Sequence, residues 1–117
     1  DTAGLKSTPK TLVSAQGAGY AVVPLNFTMQ VTYSSVQSAG VTLIFGHTGS
    51  NSTLFACATI ASFMKGVTAN VTYLTSNLGG LSVTPTIDNV PLYLSASNNF
   101  AGGFSMDVYV TYQVILL

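Results

Sequence analysis

The chain has 117 residues, of which 48% are apolar and only 5% charged, against about 25% charged in ordinary soluble domains. Three lysines and three aspartates, with no Arg or Glu, give a formal net charge of zero. Nothing therefore steers the protein toward phosphate backbones or anionic lipid, disorder is excluded by high hydropathy at low charge, and no apolar stretch approaches the roughly 20 residues of a membrane-crossing helix.

In chain order, residues 1–10 come first. They hold Lys6 and Lys10, lack periodicity, and contain Pro9, which keeps its surroundings extended. They predict an extended arm with Leu5 as its apolar anchor, ahead of a single β domain over residues 11–117. The opening Asp1, without a signal-peptide pattern, fits the ordered or processed part of a slightly longer product. A short strand is expected at Thr11–Ala15, followed by a hairpin turn at Gly17-Ala18-Gly19. From Val23 to Tyr33 the alternation is unbroken, with Val23, Leu25, Phe27, Met29, Val31 and Tyr33 on one face. Period two over this length predicts a long strand with that face buried. Pro24 lacks an amide donor, so the strand should begin at a sheet edge or a bulge.

Shorter strands follow at Val41–Phe45, Thr53–Ile60, Val67–Leu74, Gly80–Val83 and Val90–Ala96, rich in Val, Thr, Tyr and Phe and separated by Gly, Pro, Asn and Ser. Ala61–Gly66 is long enough for one helical turn at most. The C-terminus returns to strict alternation, with Phe104, Met106, Val108, Val110, Tyr112, Val114 and Leu116 on the predicted core face. Ile115 and Leu117 break the polar face, so the tail should be covered on both sides, by the second sheet or by another subunit. About eight strands without an amphipathic helix predict an all-β, single-domain, antiparallel sandwich or barrel, with a jelly-roll-like β-sandwich fitting best. An immunoglobulin-type sandwich is the alternative, but its Cys–Trp–Cys hallmark is absent.

The chemistry-bearing residues are few. Cys57 is the only cysteine, which forbids an intrachain disulfide and reads as a small buried thiol. His47 lies in a loop; a Cys57–His47 dyad is conceivable, but no surrounding pattern marks a nucleophile. Asp88 reads as a turn former capping its own backbone and Asp107 as a solvated strand residue. One His, one Cys and three scattered Asp do not make a metal site. No cofactor or small-molecule substrate is implied, and the chain reads as non-enzymatic. Asn26-Phe27-Thr28, Asn51-Ser52-Thr53 and Asn70-Val71-Thr72 match the glycosylation acceptor, as chance allows in a chain rich in Asn, Ser and Thr. Six Tyr and no Trp add contact area suited to interfaces. Tyr109, on the polar face, is a better interface candidate than Tyr33 or Tyr112. So little charge also favours self-association.

Thr8-Pro9-Lys10-Thr11-Leu12-Val13, then Gly17-Ala18-Gly19, then Tyr20-Ala21-Val22-Val23-Pro24-Leu25, resembles the opening of small virion proteins of tailed bacteriophages. Pro91–Leu94, the turn Phe100-Ala101-Gly102-Gly103 and the closing strand Val108–Ile115 are similar to the same group. The likeness covers both ends and is loose between Thr48 and Asn89. It implies a jelly-roll-like sandwich, a homotrimer, mounted on the outer surface of a capsid as a cement (decoration) protein whose partner is the major capsid protein. Related sandwiches also form tail or fibre tips that bind receptors, and loop 46–52 would serve that alternative. The expected contact residues are Leu5, Lys6, Pro9, Lys10, Tyr109, Ile115 and Leu117.

Overall fold

A computed structural model describes residues 4–47, 56–75 and 87–117. They form β1 (Lys10–Val13), β2 (Tyr20–Tyr33), β3 (Leu43–Gly46), β4 (Ala56–Ile60), β5 (Val71–Leu74), β6 (Leu92–Ala96) and β7 (Phe104–Leu116). No helix occurs among the described residues. Every ladder between these strands is antiparallel. One sheet has the order β1-β6-β3-β4 and the other β5-β2-β7. Among the described strands, β3 and β4 are the one consecutive pair lying side by side; β1 and β2, β2 and β3, β4 and β5, and β6 and β7 belong to different sheets. The turn at 17–19 therefore carries the chain from one sheet to the other, and is not the hairpin turn expected. The strand expected at Gly80–Val83 lies outside the described residues.

The sheets share one apolar core. Phe27 of β2 stacks on Phe45 of β3 with centroids 4.0 Å apart, and both are fully buried. Such a pair adds about 0.5–1.5 kcal/mol to the burial of the rings themselves. β3 is buried at all four positions, as befits an inner strand of its sheet. Phe63 extends the aromatic cluster toward Tyr73, Phe100 and Phe104.

The inward face of β2 changes halfway. Phe27, Met29 and Val31 point into the core, but before them the inward residues are Val22 and Pro24, while Leu25 is exposed. The cause is a bulge: Pro24 pairs with Tyr112 and Asn26 with Thr111, leaving Leu25 as an extra residue. One inserted residue swaps every side chain beyond it to the other face. The expectation of a single odd-numbered core face therefore fails at Val23 and Leu25. Pro24 sits at the bulge, in the stretch of β2 that β5 does not reach, because β5 pairs only with Thr28–Val31.

Residues 1–10 do not form an arm throughout. Gly4 O accepts from both Ser7 N and Thr8 N in a tight turn, and Lys10 already begins β1 opposite Leu94. Leu5 is 1% exposed and belongs to the domain's own core. This corrects the assignment of Leu5 as an anchor for a neighbouring subunit: an apolar side chain beside an unfinished core gains more by filling it than by waiting for a partner.

Two polar clusters hold the loops. The buried Gln37 accepts at Oε1 from Ala101 N (2.8 Å) and Gly102 N (2.6 Å), and its Nε2 donates to Ala39 O. A Cβ on Gly102 would come within 2.5 Å of Gln37 N, so only glycine fits. At the opposite end of β7, Asp88 accepts from Gly19 N and Asn89 from Gly17 N. Asp88 thus caps a distant turn rather than its own backbone. Gly17 and Gly19 both adopt positive φ there, a conformation glycine takes without steric cost.

Candidate functional site

The two described carboxylates do not converge. Asp88 is bonded to the turn beside Tyr20, which pairs with Leu116. Asp107 lies nine residues earlier on β7, about 30 Å away at 3.4 Å per strand residue. A carboxylate pair of Asp88 and Asp107 is therefore excluded. No group of three or more potential metal ligands occurs among the described residues.

His47 and Cys57 do meet. His47 Nε2 lies 2.8 Å from Val22 O, and Nδ1 lies 3.4 Å from Cys57 Sγ. A carbonyl can only accept, so Nε2 carries the proton, and Nδ1 takes the hydrogen bond from the thiol. Burial pushes the Cys57 thiol up from its ordinary pKa. This is the reverse of what an activated nucleophile needs. The pair links β4 through His47 to β2 and acts as a structural tie between the sheets.

The feature without a structural task is apolar and exposed. Of the ten exposed large apolar side chains described, eight lie on β2, on β7 or at Leu117; Val36 and Leu74 are elsewhere. Burial along the predicted core face of β7 falls steadily. Phe104 is buried, Met106, Val108 and Val110 are half-buried, and Tyr112, Val114 and Leu116 are exposed. The opposing sheet does not cover this end. On the other face Tyr109 is 56% exposed, and Ile115 and Leu117 are exposed too. Among the described residues, the second sheet thus does not supply the covering expected for the tail.

This exposed end is held firmly. Tyr20–Pro24 and Tyr112–Leu116 form a two-stranded ribbon. Leu117 N donates to Gly19 O at 2.8 Å, and Asn89 N to Tyr20 O at 2.8 Å. With the Asp88 and Asn89 clamps, these bonds fix the ribbon's tip, so little conformational entropy remains to be lost on contact. Among the described residues β7 pairs only with β2, which leaves an open edge that natural proteins usually blunt or cover.

The structure thus leaves three predicted contact residues exposed, Ile115 and Leu117 at the end of β7 and Tyr109 in its middle, opposite Thr28. Lys6 and Lys10 are exposed and Pro9 half-buried, at the start of the other sheet. Tyr20, Leu25, Tyr112, Val114 and Leu116 were missed, because alternation alone assigned most of them to the core. The available signal was length: a strand that outruns its partners has an uncovered end. Of the glycosylation triplets, Asn70 uses its Oδ1 to accept from Tyr33 N; Asn51 lies outside the described residues.

Comparison with protein-family models, with curated proteins and with solved structures finds no match.

Proposed function

We propose that this chain is a virion structural protein: a capsid cement protein with a jelly-roll-like sandwich that binds the outside of a phage shell as a homotrimer. The observation that carries the assembly role is the rigid, apolar, uncovered end of the β2–β7 ribbon on a domain with almost no surface charge. Half-exposed, the six large side chains at this end, Tyr20, Tyr112, Val114, Ile115, Leu116 and Leu117, offer several hundred Å², approaching the roughly 800 Å² per partner in a standard interface. Where a base and a thiol do meet, at His47 and Cys57, burial raises the thiol and the pair ties the sheets together, in keeping with a structural role. The capsid location and the threefold state rest on the resemblance of the strand and turn motifs at both ends of the sequence.

The test is to separate purified particles into heads and tails and look for this chain, then to add the protein to heads lacking it. The proposal expects the chain in the head fraction, saturable binding, and heads that rupture at higher temperature once decorated. Recovery with tails alone would favour the receptor-binding alternative.

A further inference from the structure

The register of the three-stranded sheet assembles a second surface, on the face away from the core. Thr28 pairs with Leu74 on one side and Tyr109 on the other. On the next rung, Gln30 pairs with Thr72 and Asp107. Same-face residues on neighbouring strands stand about 5 Å apart, and successive rungs about 7 Å. The six residues therefore cover a patch about 10 by 7 Å. Tyr109 and Leu74 rise at its two sides, being 56% and 74% exposed, with the half-buried Thr28 between them. Beyond Gln30 and Thr72 the patch opens into a groove of about 300 Å³, lined also by Val31, Thr32, Asn70 and Val71.

The chemistry of this face is selective. Its polar groups are hydroxyls, two amides and one carboxylate. None of the three lysines, Lys6, Lys10 and Lys65, lies on β2, β5 or β7. Among the described residues, no hydrogen bond engages the side chains of Gln30, Asp107 or Tyr109. An anionic ligand would meet Asp107 without a compensating cation. A hydrophobic ligand would have to strip water from the amides and the carboxylate. A neutral, polyhydroxylated ring meets neither objection. Its C–H face can lie on the tyrosine ring, whose face is electron-rich. Its hydroxyls can donate to Asp107 and both donate to and accept from Gln30.

We propose that this outer sheet face binds a neutral hexopyranose unit of a glycan. The sugar ring stacks on Tyr109, Asp107 and Gln30 bond adjacent hydroxyls, and the glycan continues along the groove toward Asn70. This goes beyond the assembly role and does not depend on it, because the apolar end of the ribbon lies further along β7.

The experiment is a titration of the 15N-labelled protein with methyl glycosides of glucose, galactose, mannose and N-acetylglucosamine, at up to tens of millimolar. At least one should give saturable amide shifts confined to the neighbourhoods of Thr28, Gln30, Thr72, Asp107 and Tyr109. Against that sugar, Tyr109→Ala should weaken binding at least tenfold. Asp107→Asn, which keeps shape and loses charge, should weaken it several-fold. Both residues are exposed, so the variants should keep the wild-type spectrum elsewhere. No saturable shift with any of the four, or shifts located elsewhere, would overturn the proposal. So would shifts of these amides with protein concentration alone, which would make the face a protein interface.

Discussion

The imidazole of His47 donates to the main-chain carbonyl of Val22 at 2.8 Å, tying the end of β3 to the central strand of the other sheet. His47 is buried, so the bond is shielded from water. Replacing His47 by Ala would leave a buried carbonyl without its partner and the Cys57 thiol without its acceptor. An unsatisfied buried group costs about 1–3 kcal/mol. Chemical denaturation of His47→Ala should show a loss of that size; an unchanged midpoint would mean that water replaces the ring without penalty.

Cys57 gives the pH dependence. Burial favours its neutral thiol, so its folded pKa lies above the unfolded one. The folded state then holds the proton more tightly. The associated stability is fully present below the ordinary thiol range and is lost as pH rises through the folded value. Wild type should therefore lose stability at alkaline pH more steeply than Cys57→Ala. Parallel curves for the two proteins would show that the thiol contributes nothing to the slope.

The bulge in β2 separates two neighbouring apolar residues. Phe27→Ala removes a ring stacked on Phe45 and should cost about 3–5 kcal/mol through the cavity left behind. Leu25→Ala removes an exposed side chain and should stay within about 0.5 kcal/mol. Equal losses at the two positions in thermal melts would contradict the change of face.

Leu5 reverses the expectation for the N-terminus. If residues 1–9 were an arm, deleting them would leave the domain intact. With Leu5 in the core, Leu5→Ala alone should cost about 2–5 kcal/mol. The readout is the unfolding midpoint of the isolated protein, with no capsid present.

Assembly should depend on the end of β7. Leu116 is 75% exposed, so Leu116→Asp should fold normally while placing a charge in any interface built there. Sedimentation at micromolar concentration should give a species near three chains for wild type and a monomer for the variant. A variant that stays trimeric would move the interface elsewhere.

The two long strands were legible because alternation over many residues has a single physical reading. Phe104–Leu116 is observed with the bounds expected from sequence, and Phe27, Met29 and Val31 are buried as their spacing requires. What alternation could not convey was where covering stops. Tyr112 and Val114 carry the same pattern as Met106 and Val108, and differ only in whether the other sheet reaches them. Leu5 was illegible for a related reason: a lone apolar residue in an aperiodic segment gives no hint of which cavity it fills. Pro24 did mark the bulge, but not that Leu25 would be the extra residue. The outer face is not legible in the sequence, because Gln30, Asp107 and Tyr109 are far apart in the chain and meet only through strand register.

The bulge at Leu25 also sets where β2 can shorten. Removing Leu25 would bring Pro24 and Asn26 together against Tyr112 and Thr111, which are already consecutive. Both halves of the strand would keep their facing and their partners. Removing any single residue between Phe27 and Val31 would instead turn one half of the strand inside out. Viable length variants of this strand should therefore cluster at one position, and a library of single-residue deletions across β2 would locate it without any structure determination.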